Sequence, residues 1–174
     1  MSGPGPQVVL VGPMGVGKST VAALLARRLG VGCRDTDTEV VAAEGRSIAE
    51  IFADEGEAYF RAVEREAVAR AVAGHDGVLA LGGGAVLDTG TRALLAGLPV
   101  VFLDVDVDTA MERLRSDDSR PLLATAPRHR WHALMRARRP LYTEVARVVV
   151  DTGRRTPEEV VDTVLEALGP IRRA

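Results

Sequence analysis

The sequence is poor in the residues that staple, stack or anchor a protein. A single cysteine, Cys33, excludes an internal disulfide and a cysteine metal cluster and fits a reducing compartment. Aromatic residues make up only 3%, and Lys plus Arg total 22 against 24 Asp plus Glu, a net charge of −2. That balance lacks the basic, aromatic-interleaved surface of a nucleic-acid binder and implies no polyanion partner. No apolar run approaches membrane-spanning length, and the opening "MSGPGPQ" has neither a basic segment nor an apolar signal core. A cytoplasmic chain, neither exported nor anchored, is expected. His75, His129 and His132 have no ligand-like spacing to cysteine or carboxylates and read as surface residues.

Apolar residues are plentiful. They reach 47% over 174 residues, enough for one domain spanning 1–174 with a real core. Near-continuous apolar runs recur at 7–12 (QVVLVG), 77–81 (GVLAL), 99–105 (PVVFLDV) and 147–151 (RVVVD), separated by helical patterns. This alternation predicts an α/β fold whose parallel sheet is covered on both faces. Val21, Leu24, Leu25 and Leu29 share one helical face, as do Phe60, Val63, Ala67 and Ala71. Ser47 with Glu50, and Thr156 with Pro157 and Glu159, have the spacing of helix-opening capping boxes. Segments 33–61 and 116–130 read as functional loops on this one domain.

The stretch "GPMGVGKST" follows the first apolar run and precedes a helical pattern. Gly12, Gly17, Lys18 and Ser19 match the phosphate-loop pattern G-x-x-x-x-G-K-[ST], and Gly15 adds further backbone freedom within it. Backbone N–H groups from Gly15 through Val16, Gly17 and Thr20, with the positive end of the helix behind them, suit a polyphosphate. Lys18 is placed to reach the β- and γ-phosphates, and the Ser19 hydroxyl to ligate Mg²⁺. The donor is therefore a nucleoside triphosphate.

Three further constellations bear on the acceptor. Asp35 and Asp37, in "CRDTDTEV", fall where a second strand should end, at the ligand edge of an open α/β sheet. Two carboxylates there serve to hold the water shell of Mg²⁺ or to take a hydroxyl proton; equally, Asp35 or Thr36, the latter with Glu39, has helix-capping character. Arg61 and Glu64 lie one helical turn apart near Phe52 and Phe60, as either a surface ion pair or part of a site. Gly82, Gly83 and Gly84 directly follow a strand, where a ligand's approach would demand bare backbone. Beyond them an arginine-rich stretch from Ser116 has the character of a lid, with Arg120 where a lid arginine would sit.

Together "GPMGVGKST", "DTD", "GRSIAEIFADEGEAYFR", "LGGGAV", "RPLLA" and "RRPLY" resemble the shikimate kinases, in order and spacing across nearly the whole chain. The resemblance implies a three-layer α/β/α P-loop NTPase fold similar to nucleoside monophosphate kinases, with a central five-stranded parallel sheet, a substrate-binding region over about 33–61 and a lid over about 116–130. It implies transfer of the γ-phosphoryl of ATP to the 3-hydroxyl of shikimate, with Mg²⁺, by a monomer. On that basis Asp37 is the candidate base, and Asp35 holds Mg²⁺ with Ser19. Arg61 and Arg138 clamp the shikimate carboxylate, with Glu64 orienting Arg61. Phe52 and Phe60 form an apolar wall, and Gly82 to Gly84 line the pocket. Arg120 closes over the phosphates, while Arg113, Arg155 and Pro157 flank adenine. A gluconate kinase or a catalytically silent relative is the competing reading. The first should lack the combination of Asp-Thr-Asp, Arg61 and the glycine triplet, and the second should have lost Lys18, Asp35, Asp37 or Arg120; all are present.

Overall fold

In the computed structural model, which describes residues 5–115 and 126–171, five parallel strands form one sheet. They are β1 (Val8–Val11), β2 (Cys33–Asp35), β3 (Val78–Ala80), β4 (Val100–Asp104) and β5 (Val148–Asp151), in the spatial order β2-β3-β1-β4-β5. Helices lie on both sides of the sheet: α1 (Lys18–Leu29), α2 (Thr36–Glu44), α3 (Ile48–Glu55), α4 (Glu57–Gly74), α5 (Thr89–Leu95), α6 (Val107–Leu114), α7 (Pro127–Val145) and α8 (Pro157–Leu168). Val9 stands opposite Leu79 on one side and Val100 on the other, so β1 is central, with all four of its residues at most 1% exposed. The loop leaving β1 therefore emerges in the middle of the sheet's ligand edge.

Coverage on both faces holds for β1, β3 and β4 but not at the margins. Val149 of β5 is 53% exposed because β5 is an edge strand, and β2, the opposite edge, is the short and mixed sequence Cys-Arg-Asp. The expected helical faces form: Val21 and Leu25 of α1, and Phe60, Ala67 and Ala71 of α4, are buried. Both capping boxes form as well, at Ser47 with Glu50 and at Thr156 with Glu159.

The apolar residues divide into two clusters. The larger fills the sheet and its flanking helices. The smaller consists of Val40, Ile51, Phe60 and Ala67, with Ile48, Phe52 and Val63 packed on it, and joins α2, α3 and α4 into a unit beside the sheet. On α7 the buried residues Trp131, Met135, Arg138 and Tyr142 repeat at helical spacing along one face, while Pro140 falls on the exposed side. Residues 127–130, expected within a lid, are instead the first turn of α7; Arg120 and the rest of 116–125 lie outside the described residues. No helix among the described residues is long and apolar enough to cross a membrane.

Candidate active site

The phosphate loop is built by backbone no side chain would allow. At Gly12, with φ at +151°, a Cβ would stand 2.3 Å from the Leu103 carbonyl oxygen of β4, so the loop turns hard against the sheet. α1 then starts from Gly17 with no side-chain cap, whereas Asp35, Ser47, Asp88, Asp106 and Thr156 cap α2, α3, α5, α6 and α8. The first-turn N–H groups of α1 face a cavity of about 370 Å³ lined by Gly15, Gly17, Lys18, Ser19 and Thr20. Lys18 Nζ donates to the carbonyls of Gly12 at 2.6 Å and Pro13 at 3.1 Å, which places its charge over the loop. Val16 is buried and contributes its carbonyl, which accepts from Arg113 at 3.0 Å.

Asp35 caps α2, as its helix-capping character led one to expect, and does so with only one of its oxygens. Oδ1 caps α2, accepting from the backbone of Asp37 at 3.0 Å and Thr38 at 3.3 Å, while Oδ2 accepts from the Ser19 hydroxyl at 2.7 Å. The capping box whose spacing Thr36 and Glu39 share does not form. Thr36 is fully buried with its hydroxyl accepting from Gly82 N at 3.1 Å, and Glu39 pairs with Arg34. That Thr36 bond ties β2 to the glycine triplet and sets Asp37 beside it. A Cβ on Gly82 would stand 2.4 Å from Asp37 Oδ1 and 2.8 Å from Glu64 Oε2, and one on Gly84 would meet the Arg61 guanidinium at 2.4 Å. Only bare backbone fits between these charges.

Asp37, Phe52, Phe60, Arg61, Glu64, Gly83, Gly84 and Arg138 line a second cavity of about 360 Å³. Arg61 is no surface ion pair: Nη1 donates to Glu64 Oε1 at 2.8 Å with Glu64 only 4% exposed in its side chain, and its Cζ lies 5.1 Å from the Phe60 ring centroid. Burial pushes the Glu64 carboxyl up; Arg61 opposes that shift and Asp37 adds to it. The Phe52 and Phe60 rings, with centroids 5.2 Å apart, form the apolar wall. Of the three arginines in "RARRP", Arg138 alone is buried in the cavity wall, whereas Arg136 is exposed and Arg139 pairs with Asp104. The two cavities share Met14, Ser19, Asp35 and Asp37.

The chain from residue 14 to 169 matches the family model described as shikimate kinase. The chain belongs to the shikimate kinase family. Among its relatives, the shikimate kinase of Streptomyces avermitilis is 64% identical over 163 residues, covering 94% of this chain and 95% of that protein. A solved shikimate kinase from Acinetobacter baumannii in complex with shikimate superposes with a TM-score of 0.90 at 34% identity, over 95% of this chain and 93% of that one. A gluconokinase from Sinorhizobium meliloti, at 22% identity and a TM-score of 0.57 over 95% of this chain and 91% of its own, shares the fold alone.

Arg113, Arg155 and Pro157, which the resemblance sets beside adenine, take different places. Arg113 lines the nucleotide cavity, but its guanidinium donates to the carbonyls of Gly15, Val16 and Thr152, bracing the loop. Arg155 turns toward α8, pairing with the Thr163 hydroxyl and donating to Asp151 O at 3.1 Å; it and Pro157 line neither cavity. Among the described residues no cluster of three or more His, Cys, Asp or Glu is placed to hold a metal. Sequence reasoning did not find Trp131, whose Nε1 donates to Met14 O at 2.9 Å, or Tyr142. Their spacing with Met135 and Arg138 on α7 was the signal available.

Proposed function

We propose that the chain transfers the γ-phosphoryl group of ATP to the 3-hydroxyl of shikimate, giving shikimate 3-phosphate and ADP. The observation that carries this reading is the meeting of the two cavities at Asp37, with a phosphate loop on one side and a pair of arginines on the other. Lys18, Gly15, Gly17 and Thr20 bind the phosphates. Arg61 and Arg138 receive the acceptor carboxylate, a task suited to planar two-pronged guanidinium groups. Phe52 and Phe60 meet the apolar side of the acceptor ring, and Gly82 to Gly84 admit it closely. Asp37 then holds the attacking hydroxyl and takes its proton. Glu64 keeps Arg61 aimed into the cavity.

Ser19 and Asp35 are adjacent hard oxygen donors on the wall common to both cavities, a fit for Mg²⁺, which prefers one or two protein oxygens with water and phosphate. When bound there, the ion would neutralise charge on the triphosphate. Arg120, by position in its motif, is the lid arginine. The enzyme is read as a cytoplasmic monomer, in keeping with its one cysteine.

The test is ADP release from ATP and Mg²⁺ with shikimate, gluconate or no acceptor, for the protein and for Asp37→Asn. Shikimate-dependent release is expected, and the variant should lose about 10²- to 10⁴-fold in kcat while still binding ATP. Release with gluconate but not shikimate would overturn the acceptor, and near-normal turnover of the variant would remove Asp37 from the mechanism.

A further inference from the structure

Tyr142 is fully buried beneath the acceptor cavity, and its ring packs on Phe102 of β4 with centroids 5.0 Å apart. A phenylalanine would fill that space equally well, and a buried hydroxyl opposes folding unless it is hydrogen-bonded. The Tyr142 hydroxyl donates to the carbonyl of Gly83 at 2.5 Å. Arg138, one turn earlier on α7, is buried in the wall of the same cavity. Gly83 is itself a junction: from where its Cβ would stand, Arg138 Nη1 is 3.5 Å away, Gly12 O 3.6 Å and Met14 N 3.8 Å. One hydroxyl thus bonds to a glycine of the acceptor wall that has an arginine of that wall beside it, without lining the cavity itself.

We propose that Tyr142 is a positioning residue for the acceptor, its hydroxyl holding the Gly83 peptide beside the Arg138 guanidinium in the relation that binds the carboxylate end of the substrate. The proposal rests on the reading of this cavity as the acceptor site. Gly83 also meets the phosphate loop, at Gly12 O and Met14 N, but farther off than Arg138 Nη1, and Lys18 of that loop bonds to Gly12 and Pro13. Its loss should therefore divide the two substrates.

Tyr142→Phe removes only the hydroxyl and leaves the part-buried Gly83 carbonyl without its donor. The KM for shikimate should rise about 5- to 20-fold, the KM for ATP should stay within about twofold, and kcat should fall less than the acceptor affinity. Phe102→Leu loosens the same packing and keeps the hydroxyl, so it should lower Tm with little change in the acceptor KM. Equal movement of both KM values in Tyr142→Phe, unchanged KM values, or an acceptor KM shift as large in Phe102→Leu would each overturn the proposal. Arg138→Ala separates this from failure of the cavity assignment. If it leaves the shikimate KM unchanged, the acceptor reading falls and the proposal with it. If Arg138→Ala raises that KM and Tyr142→Phe does not, Tyr142 alone is excluded.

Discussion

Glu64 lies on the apolar face of α4, 3% exposed, with one oxygen on Arg61 and the other beside Gly82 and Asp37. Because its native carboxyl is raised, its protonation favours folding; that contribution is full below the ordinary carboxylate value and is lost as pH climbs through the raised native one. Glu64→Gln removes this titration. Its Tm should fall less steeply than that of the unsubstituted protein from about pH 4 toward about pH 8, with stability at neutral pH kept or increased. Thermal melts across that range decide the point, and an unchanged slope would assign the titration elsewhere. The same variant should raise the KM for shikimate, since a neutral amide holds Arg61 less firmly than a carboxylate does.

The residues gathered at the two cavities were legible at this scale because they stand in short contiguous motifs: Lys18 and Ser19, Asp35 and Asp37, Gly82 to Gly84. Thr36 was not. Its capping spacing with Glu39 is a local signal, and a contact with Gly82, 46 residues away, overrides it. Arg155 has a local partner instead, Thr163 on the helix that follows it.

Among the elements, α7 joins the walls of both cavities. Trp131 near its start bonds to the phosphate loop at Met14 O, and Tyr142 near its end bonds to the glycine triplet at Gly83 O. As the only tryptophan in the chain, Trp131 should report the loop directly. Its emission should change in intensity or wavelength when saturating ADP is added. Trp131→Phe should leave no such signal and should weaken nucleotide binding by about 3- to 10-fold, the range for a lost partly buried hydrogen bond. A nucleotide titration that leaves the emission flat would show that Met14 does not move or change its bonding. The α and β identities of such elements were readable from periodicity, whereas their edges were not. β2 is polar and three residues long because an edge strand needs no continuous apolar run, and only the sheet order reveals that it is an edge.

Across the whole molecule, the division into two apolar clusters sets which parts open together. The cluster around Val40, Ile51 and Phe60 is small, so α2 and α3 have fewer buried contacts to lose than the sheet, whose central strand is covered on both faces. In native-state hydrogen exchange, α2 and α3 amides should exchange by a lower-energy opening than those of β1, β3 and β4, and shikimate should slow them. Exchange of all elements at one common free energy would instead mean a single cooperative unit. The sequence reads 33–61 as a functional loop, whereas it holds β2, α2, α3 and the start of α4 with a core of its own, since Val40, Ile51 and Phe60 meet only when three helices pack.

The wall shared by the two cavities, Met14, Ser19, Asp35 and Asp37, sets donor and acceptor directly side by side. A phosphoryl group crossing it changes hands once, and a single in-line displacement turns the substituents on phosphorus inside out. ATP made chiral at its γ-thiophosphate by oxygen isotopes should therefore yield a product of inverted handedness. Retained handedness would mean two successive transfers, with a phosphorylated side chain of the protein between them.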